Sequence, residues 1–369
     1  MKKILNVVGA RPNFMKIAPL MERMQATPGL NPLLIHTGQH YDEKMSKIFF
    51  EQLEIPRPQV DLGVGSGSHA EQTAAVMVRF EKLCLEEQPD LVLVVGDVNS
   101  TAACSLVAAK LCIPVAHVEA GLRSRDRSMP EEINRIVTDA LSTFLFTTSR
   151  DADENLMNEG VSADKIFFVG NVMIDTLLKH KMKAGESGIL RNLGLSNGAG
   201  AAEYAAMTLH RPSNVDDPQT LAGILDALKV VQDKLPIIFP VHPRTRKQIE
   251  AFGFGARLKE MPALRLIEPL GYLDFLALVS SARIVLTDSG GLQEETTVLG
   301  VPCLTLRPNT ERPITITEGT NILVGTDAQR IVDEAMAIIE NRGKRGGIPE
   351  YWDGQAAARI VDVLVEKLG

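Results

Sequence analysis

Tryptophan, cysteine and aromatic residues are all scarce in this chain of 369 residues, which has 1 Trp, 4 Cys and an aromatic content of 5%. The cysteines form no CxxC pair, and no histidine cluster accompanies them; they are Cys84, Cys104, Cys112 and Cys303. Zinc sites and disulfide scaffolds need closely spaced ligands or paired cysteines. We therefore expect no bound metal, and buried thiols in a reducing compartment.

The chain also lacks a basic excess and a long apolar run. Its net charge of −7 indicates no basic surface for nucleic acid or an anionic membrane. The run Ile4–Ala10 imitates the start of a signal peptide, but it is short, and Arg11 and Lys16 interrupt the next stretch of chain. No stretch reaches the ~18 apolar residues of a membrane span. We predict a soluble, cytoplasmic protein that begins with a buried strand.

One pattern recurs along the chain: a short apolar run, a tight turn and then a helical period. The runs are nearly continuously apolar, which is typical of parallel strands covered on both faces. They are Ile4–Val8, Leu33–His36, Leu91–Val95, Val115–Val118, Phe144–Thr147, Tyr204–Leu209, Ile237–Val241, Ile284–Thr287 and Cys303–Leu306. Strands alternating with helices predict a doubly wound α/β fold, and the length suggests two domains.

The segment Lys179–Ala202 is rich in Lys, Gly, Ser and Ala, so a domain boundary is expected just before or within it. Near the end, Gln355–Leu368 has the apolar period of an amphipathic helix. Two Rossmann-like units in tandem create a crevice at the carboxyl ends of both sheets, where ligands bind. Residues just past the strand ends are therefore the candidates for chemistry.

Positive charge follows the first predicted strand. Gly9 permits a tight turn, and Asn13 would cap a helix that begins at about Phe14. Arg11 and Lys16 would then direct cations at the crevice, although a capped helix with surface charges is the plainer interpretation. The segment is not a GxGxxG, so it predicts no dinucleotide site.

Carboxylates follow two further strands. Asp97 comes directly after its strand, where it is either a helix N-cap or an acid/base group. Glu119 lies at the end of its strand and needs either a partner, for which Arg123 is available, or a function. His117, inside the same run, is expected to be buried.

Glu131 lies at the start of the next predicted helix. Ser128 and Glu131 have the spacing of a capping box, and Glu131 and Arg135 are four residues apart, as in a routine helix ion pair. The alternative is that both charged side chains serve the crevice.

The second unit supplies groups suited to phosphate. His210 and His242 each follow a strand beside an arginine, and Arg312 follows the last predicted strand. Ser289–Gly291 joins a buried strand directly to a helix, whose free N–H groups and dipole would bind an anion. Glu295, about one turn later, could accept hydrogen bonds from ribose hydroxyls. The plainer interpretation is a glycine turn with a helix cap.

Eight segments occur in one order along the chain: GARPNFMKIAPL, GDVNST, HVEAGLRS, PEEINR, LHRPSN, PVHPRT, DSGGLQEE and TERPIT. In order and spacing the chain resembles the non-hydrolysing UDP-N-acetylglucosamine 2-epimerases, and the likeness extends to DGQAAARI near the end. The resemblance implies the GT-B architecture, two Rossmann-like domains with the active site in the cleft between them. Residues 1–175 would form the first domain and 176–353 the second, with a C-terminal helix at 354–369 packed back on the first.

The resemblance also implies a role for each candidate. Acid/base catalysis would fall to Asp97, Glu119 and Glu131, and His210 would touch the diphosphate and assist the departure of UDP. Substrate-binding positions would be Arg11, Lys16, Arg135, His242, Leu270, Phe275, Ser289, Gly290, Gly291, Glu295 and Arg312, with Leu270 and Phe275 at the uracil. No metal or other cofactor would be needed, and the family suggests a homodimer.

The implied reaction is reversible epimerisation of UDP-N-acetylglucosamine at carbon 2, by elimination of UDP to a glycal and re-addition. The alternatives are a 2-epimerase of a UDP-diacetamido-glucuronate, a retaining GT-B glycosyltransferase and a non-catalytic UDP-sugar sensor. Many bacterial members carry a second, allosteric UDP-N-acetylglucosamine site. Gln39–His40 resembles part of it, but no arginine lies between Asp61 and Val78, where the family pattern has one.

Overall fold

The computed structural model describes residues 1–38, 57–196 and 202–369. The chain divides into two compact units, Met1–Lys179 together with Glu350–Gly369, and His180–Pro349. Each unit is a parallel sheet with helices on its connections. In the described part of the chain, no helix is both long and apolar enough to cross a membrane.

The first unit is built on a seven-stranded parallel sheet. Its strands are β1 (Lys2–Val8), β2 (Leu30–His36), β3 (Val60–Asp61), β4 (Leu91–Val95), β5 (Val115–Ala120), β6 (Phe144–Thr147) and β7 (Ile166–Phe168). They lie in the order β3-β2-β1-β4-β5-β6-β7. All five residues of β4 are buried, because helices cover a parallel sheet on both faces.

The described helices of this unit connect the strands or follow the last one, and the last of them continues past Lys179 into the second unit. They are α1 (Arg11–Gln25), α2 (His69–Glu87), α3 (Asn99–Lys110), α4 (Pro130–Leu141), α5 (Arg150–Asn158) and α6 (Val172–Gly185), with a 3-10 turn at Ala163–Lys165. Small residues in α3, which has Ala103, Cys104 and Ala108 buried, let this helix pack closely on the sheet.

The second unit has a six-stranded parallel sheet. Its strands are β8 (Ala205–Thr208), β9 (Ile237–Pro240), β10 (Leu264–Ile267), β11 (Ile284–Thr287), β12 (Cys303–Thr305) and β13 (Asn321–Leu323). The order β10-β9-β8-β11-β12-β13 is that of a Rossmann fold.

The helices from Ile189 to Ile339 belong to the second unit, and a last helix closes the chain. They are α7 (Ile189–Asn192), α8 (Pro212–Val215), α9 (Pro218–Gln232), α10 (Pro243–Ala251), α11 (Gly255–Lys259), α12 (Tyr272–Ser280), α13 (Gly290–Leu299), α14 (Ile314–Thr317), α15 (Ala328–Ile339) and α16 (Ala356–Leu368).

The C-terminal helix α16 belongs to the first unit. Its N-terminal N–H groups, those of Ala356 and Ala357, donate to the buried carboxylate of Asp175 in α6, at 3.1 and 2.7 Å. Just before the helix, Trp352 is buried and donates from Nε1 to the carbonyl of Thr148 at 2.9 Å. Asp175 thus serves α16 as an N-cap supplied by another helix.

In each sheet the order in which the chain adds strands reverses between two central strands, β1 and β4 in the first unit and β8 and β11 in the second. Such switch points open a crevice at the carboxyl ends of the strands, and side chains there are available to a ligand.

The start of α1 differs from the sequence prediction. The helix begins at Arg11, and Asn13 is not its N-cap but a residue of the first turn. Its Oδ1 accepts hydrogen bonds from the N–H groups of Gly9 and Ala10, at 3.1 and 3.0 Å. Asn13 therefore holds the turn after β1 from inside the helix.

Candidate active site

Lys16 and Glu119 form a buried ion pair at the switch point of the first sheet. Lys16 lies in the second turn of α1, and its Nζ contacts Oε2 of Glu119, at the end of β5. The other carboxylate oxygen, Oε1, is buried and has no hydrogen-bond partner among the residues that the structure describes. A buried polar atom without a partner is costly, so it marks a position where a ligand can bind.

Lys16, not Arg123, is thus the partner of Glu119, which corrects the sequence interpretation. Arg123 instead forms ion pairs with Asp139 and Glu159, each at 2.7 Å. The reason is the local backbone: Glu119 has a φ of +71°, and the pairing of β5 with β6 shifts register between Val118 and Ala120. This bulge changes the direction in which the strand presents Glu119.

Asp97 and Arg135 form a second ion pair, just after the end of β4. Asp97 lies between β4 and α3, and its Oδ2 is 2.5 Å from Nη1 of Arg135. Val98, not Asp97, is the N-cap of α3, so the capping interpretation of Asp97 is wrong. Asn134 donates to the carbonyl of Asp97 at 2.9 Å, which fixes the backbone at this position.

Glu131 does not pair with Arg135. The carboxylate that does so is Glu132, whose Oε2 accepts from Nε and Nη2 of Arg135 at 2.9 and 2.7 Å. The predicted capping box is also wrong, because α4 has Met129 as its N-cap and Ser128 bonds to Asp126. Glu131 lies half-buried in the first turn of α4.

Glu132 is a structural anchor for this helix and for the loop before it. It accepts hydrogen bonds from the N–H groups of Ser124 and Arg125, at 3.0 and 2.9 Å. Burial raises the pKa of its carboxyl, but these N–H groups and the Arg135 guanidinium bring the pKa below its usual value. Arg135 is thereby held between Glu132 and Asp97.

In the second unit, His210 forms a dyad with Asp288. His210 follows β8, and its Nδ1 lies 2.8 Å from Oδ1 of Asp288, which follows β11. Oδ2 of Asp288 accepts from the N–H groups of His210 and Arg211 at 2.9 and 2.7 Å, and from Asn214 at 3.2 Å. Burial raises the pKa of Asp288, whereas His210 and these N–H groups lower it below its usual value. With Nδ1 bonded, Nε2 is the ring nitrogen available to a ligand.

A cavity of about 250 Å³ opens beside this dyad. It is lined by Thr208, Leu209, His210, Pro240, His242, Pro269, Leu270, Phe275, Ser289 and Leu292. Five of the sequence candidates, in the segments that follow four different strands, therefore meet around one space. The rings of His210 and His242 lie 5.8 Å apart, and His242 accepts from the N–H of Arg244 as the N-cap of α10. An aromatic and aliphatic wall with imidazoles at one side suits a base attached to a phosphate.

The helix α13 begins directly beside this cavity. Ser289 is its N-cap residue without a side-chain cap, and Gly290 and Gly291 are its first helical residues. A Cβ at Gly290 would lie 2.6 Å from Nη1 of Arg312 and 2.8 Å from Oε1 of Glu311, so a larger residue fits only if these side chains move. The helix thus brings its N-terminal dipole and N–H groups close to a guanidinium, an arrangement that favours an anion.

Arg312 is held by two buried carboxylates. Its Nε lies 2.8 Å from Oε1 of Glu294, and its Nη1 pairs with Glu311, which also accepts from Arg307 at 2.8 Å. Burial raises the pKa of Glu311, but Arg312 and Arg307 outweigh it and hold that pKa far below its usual value. The cluster fixes the guanidinium in place.

Glu295 lies deeper in α13 and faces Tyr272. Burial, aided by the charge of Glu294, raises the pKa of Glu295 to about 8, while the Tyr272 hydroxyl lowers it. The Glu295 carboxyl is therefore largely protonated near neutral pH, and it can donate as well as accept a hydrogen bond.

Two sequence candidates fall outside this description. Arg11 is the first residue of α1, but its side chain is not among those that the structure describes. Gln39 and His40 also lie outside the described residues.

Sequence reasoning missed Glu132, Asp288 and Glu294, all of which are buried and pair with a candidate residue. Each stands next to a candidate in its motif, in PEEINR, DSGG and LQEE. For Glu132 and Glu294 the available indication was a second acid beside a predicted one inside a buried helix, and for Asp288 it was an acid directly after a buried strand.

The first unit thus provides carboxylates paired with cations. The second unit provides an imidazole, a guanidinium and a helix N-terminus. The groups of the first unit can transfer protons to or from an uncharged atom of a ligand. Those of the second unit can bind and stabilise a phosphate leaving group.

Comparison with known proteins identifies the family. The family model described as UDP-N-acetylglucosamine 2-epimerase matches residues 22–365. A UDP-N-acetylglucosamine 2-epimerase of Methanocaldococcus jannaschii is 44% identical over 365 residues, 98% of each chain. A UDP-2,3-diacetamido-2,3-dideoxy-D-glucuronate 2-epimerase of Pseudomonas aeruginosa is 41% identical over 367 residues, 99% of each chain.

Solved structures agree with this assignment. The M. jannaschii UDP-GlcNAc 2-epimerase in complex with UDP-GlcNAc and UDP is similar with a TM-score of 0.90 at 43% identity, covering 99% of both chains. The Neisseria meningitidis enzyme bound to UDP-GlcNAc has a TM-score of 0.87 at 30% identity, covering 99% of this chain and 100% of that one. The predicted fold class, a GT-B-like pair of parallel-sheet α/β domains, is confirmed. The chain therefore belongs to the UDP-N-acetylglucosamine 2-epimerase family, a family of isomerases.

Proposed function

We propose that this chain catalyses the reversible epimerisation of UDP-N-acetylglucosamine at carbon 2 to UDP-N-acetylmannosamine. The observation that carries the proposal is the pair of carboxylates, Asp97 and Glu119, at the switch point of the first sheet, each held by a buried cation. The whole-length similarity to enzymes of this name supports it.

The route is elimination of UDP followed by its re-addition. Carbon 2 has no adjacent carbonyl, so its proton is not acidic and direct deprotonation is slow. In the elimination, a base takes the proton from carbon 2, the C–H electron pair forms a double bond to carbon 1, and the C–O pair leaves with UDP. Protonation of carbon 2 from the other face and attack of a UDP oxygen on carbon 1 give the epimer.

The first unit would carry the proton transfers. Two faces of one carbon must be served, so two carboxylates on different elements are required, one to remove and one to return the proton. Asp97 follows β4, where Arg135 holds it, and Glu119 is the last residue but one of β5, where Lys16 holds it. Glu131, in the first turn of α4, is the third acid that we assign to this step.

The second unit would hold UDP and stabilise it as it leaves. We assign the diphosphate to the N–H groups of Ser289–Gly291, to Arg312 and to Arg11, and Nε2 of His210 to the leaving oxygen. Lys16 would lie beside the phosphates. Leu270 and Phe275 would contact the uracil, and Glu295 the ribose.

Proton NMR in heavy water tests the proposal. Incubation with UDP-N-acetylglucosamine should produce the manno epimer with deuterium at carbon 2, because the base exchanges its proton with solvent. Intact UDP binding without epimer or exchange would contradict the assignment.

A second substrate is favoured by a specific observation. The P. aeruginosa relative that acts on UDP-2,3-diacetamido-2,3-dideoxy-D-glucuronate is nearly as similar as the M. jannaschii enzyme, 41% against 44% identical. Parallel measurements of kcat/KM with both nucleotide sugars decide between them. A much higher kcat/KM for the diacetamido-glucuronate would show that it is the substrate in place of UDP-N-acetylglucosamine, and the proposed chemistry would stay the same.

We also propose that the protein is a cytoplasmic homodimer. In α2, Val78 and Leu85 are 57% and 60% exposed, and a second copy could cover them. Light scattering should give about twice the chain mass of 40.2 kDa. The buried free thiols Cys84, Cys104 and Cys303 suit a reducing compartment.

A further inference from the structure

A buried histidine and aspartate link the two strand ends that carry Asp97 and Glu119. His117 lies in β5 and Asp139 in α4, and both side chains are enclosed. Nδ1 of His117 is 2.6 Å from Oδ1 of Asp139, and Nε2 is 2.9 Å from the carbonyl oxygen of Gly96. Neither residue has a place in the acid/base or UDP-binding sets above.

Both ring nitrogens of His117 face acceptors. A backbone carbonyl only accepts, so Nε2 must donate to Gly96. Burial raises the pKa of the Asp139 carboxyl, but the charges and hydrogen bonds of His117 and Arg123 bring it below its usual value, so Asp139 is a carboxylate. Nδ1 faces this carboxylate, so the ring is held at both of its nitrogens by groups of two different segments.

Asp139 spans the bulge that presents Glu119. Its Oδ1 accepts from His117, while Oδ2 accepts from the N–H of Gly121 at 3.1 Å and lies 2.7 Å from Nη1 of Arg123. His117 and Gly121 flank Glu119 on either side. A non-glycine residue at positive φ costs about 1–3 kcal/mol and persists only where its surroundings fix it. The Asp139 carboxylate is one of the groups that fix it.

The other side of the His117 ring holds the turn before Asp97. Gly96 has a φ of +67°, and its N–H donates to the carbonyl of Val118 at 3.1 Å. The ends of β4 and β5 are thus joined by a backbone bond and by the imidazole. A Cβ at Gly96 would lie 3.0 Å from Nζ of Lys16, so the position of this turn also limits where Lys16 can lie.

We infer that His117 and Asp139 are positioning residues that hold Asp97 and Glu119 in fixed relation for proton transfer at carbon 2. The inference rests on the proposed function. Neither residue touches the substrate; both act through the backbone at Gly96 and Gly121. Misplacing a reacting group by 1 Å can lower a rate by about 100-fold, so loss of either link should affect turnover.

Three substitutions test separately the contact of His117 with Gly96, its contact with Asp139, and the charge of Asp139. His117→Asn retains a donor near the position of Nδ1 and loses the contact with Gly96, whereas His117→Gln retains a donor near Nε2 and loses the contact with Asp139. Asp139→Asn keeps an acceptor for one neighbour and loses the charge. Each should lower kcat by roughly 10- to 100-fold, with KM and UDP affinity unchanged because UDP is assigned to the second unit.

Asp175→Asn is the matched control. It too alters a buried carboxylate of the first unit that accepts two backbone N–H groups, but at the start of α16. It should lower stability and keep kcat. A kcat in Asp139→Asn or His117→Asn equal to that of the wild type, or a loss that Asp175→Asn shares, would overturn the inference.

A measurement on the wild type does not depend on the folding of any variant. With ¹⁵N-labelled histidine, one ring should show an Nε2–H that exchanges slowly with solvent, because in a buried ring this N–H donates to the carbonyl of Gly96. A spectrum without such a ring would overturn the link between His117 and Gly96. A wild type that exchanges no deuterium at carbon 2 removes the proposed function; a wild type that does, with variants that match it, removes only this inference.

Discussion

Replacing Gly290 by alanine should destabilise the second unit and weaken the UDP binding that we propose for it. The added Cβ would lie 2.6 Å from Nη1 and 3.2 Å from Cζ of Arg312, and 2.8 Å from Oε1 of Glu311. Carbon contacts are normally about 3.5–4.0 Å, so the guanidinium would have to move by about 1 Å. An exposed arginine moves easily, but Arg312 is only 7% exposed and is paired with Glu294 and Glu311.

The magnitude follows from these contacts. Overpacking a filled site costs about 1–3 kcal/mol, and breaking a buried ion pair costs about 3–5 kcal/mol, so Gly290→Ala should destabilise by at least about 1 kcal/mol. Loss of one hydrogen bond to a charged group costs about 1.5–3 kcal/mol, which weakens UDP binding by roughly 10- to 100-fold.

Gly223→Ala provides the control. Gly223 lies inside α9 of the same unit, and no atom lies within 4 Å of its added Cβ. Because alanine is the better helix former, the same substitution there should stabilise by about 0.5–1 kcal/mol and leave UDP affinity unchanged. Urea unfolding and titration calorimetry with UDP measure the two quantities. The reasoning is refuted if Gly290→Ala unfolds and binds UDP like Gly223→Ala.

Three further predictions concern ionisable groups. Asp97→Asn should lower turnover by roughly 100-fold or more with UDP binding retained, and NMR turnover with calorimetry checks it; wild-type turnover would remove Asp97 from the mechanism. Asp288→Asn should lower kcat at least about 10-fold, since the carboxylate that orients His210 is lost, and steady-state kinetics against His210→Asn shows whether the two effects overlap. Glu295 has a pKa raised from 4.5 to about 8, so its contribution to stability is complete below pH 4.5 and is lost as pH rises through about 8. Between pH 6 and 8 the wild type should therefore lose about 2 kcal/mol relative to Glu295→Gln, measured by urea unfolding; equal slopes for the two proteins would contradict the buried, protonated state.

Central strands could be predicted from the sequence, whereas edge strands could not. Leu91–Val95 and Ile284–Thr287 are predicted to the residue, because a central parallel strand is buried on both faces and reads as an unbroken apolar run. The strands that were missed, Val60–Asp61, Ile166–Phe168, Leu264–Ile267 and Asn321–Leu323, are the four edges of the two sheets. Edge strands are short and partly exposed, so they carry no such run.

Local pattern therefore determined the fold class and the choice of candidate site residues, since strand ends and glycine turns are properties of neighbouring residues. The pairing of charges was decided only by the tertiary structure. Glu119 pairs with Lys16, 103 residues away, and not with nearby Arg123, and Arg135 pairs with Glu132 and Asp97 in place of Glu131. The physical reason is that a buried charge takes whichever partner the packing of distant elements brings within hydrogen-bonding distance, and sequence spacing carries no measure of that distance.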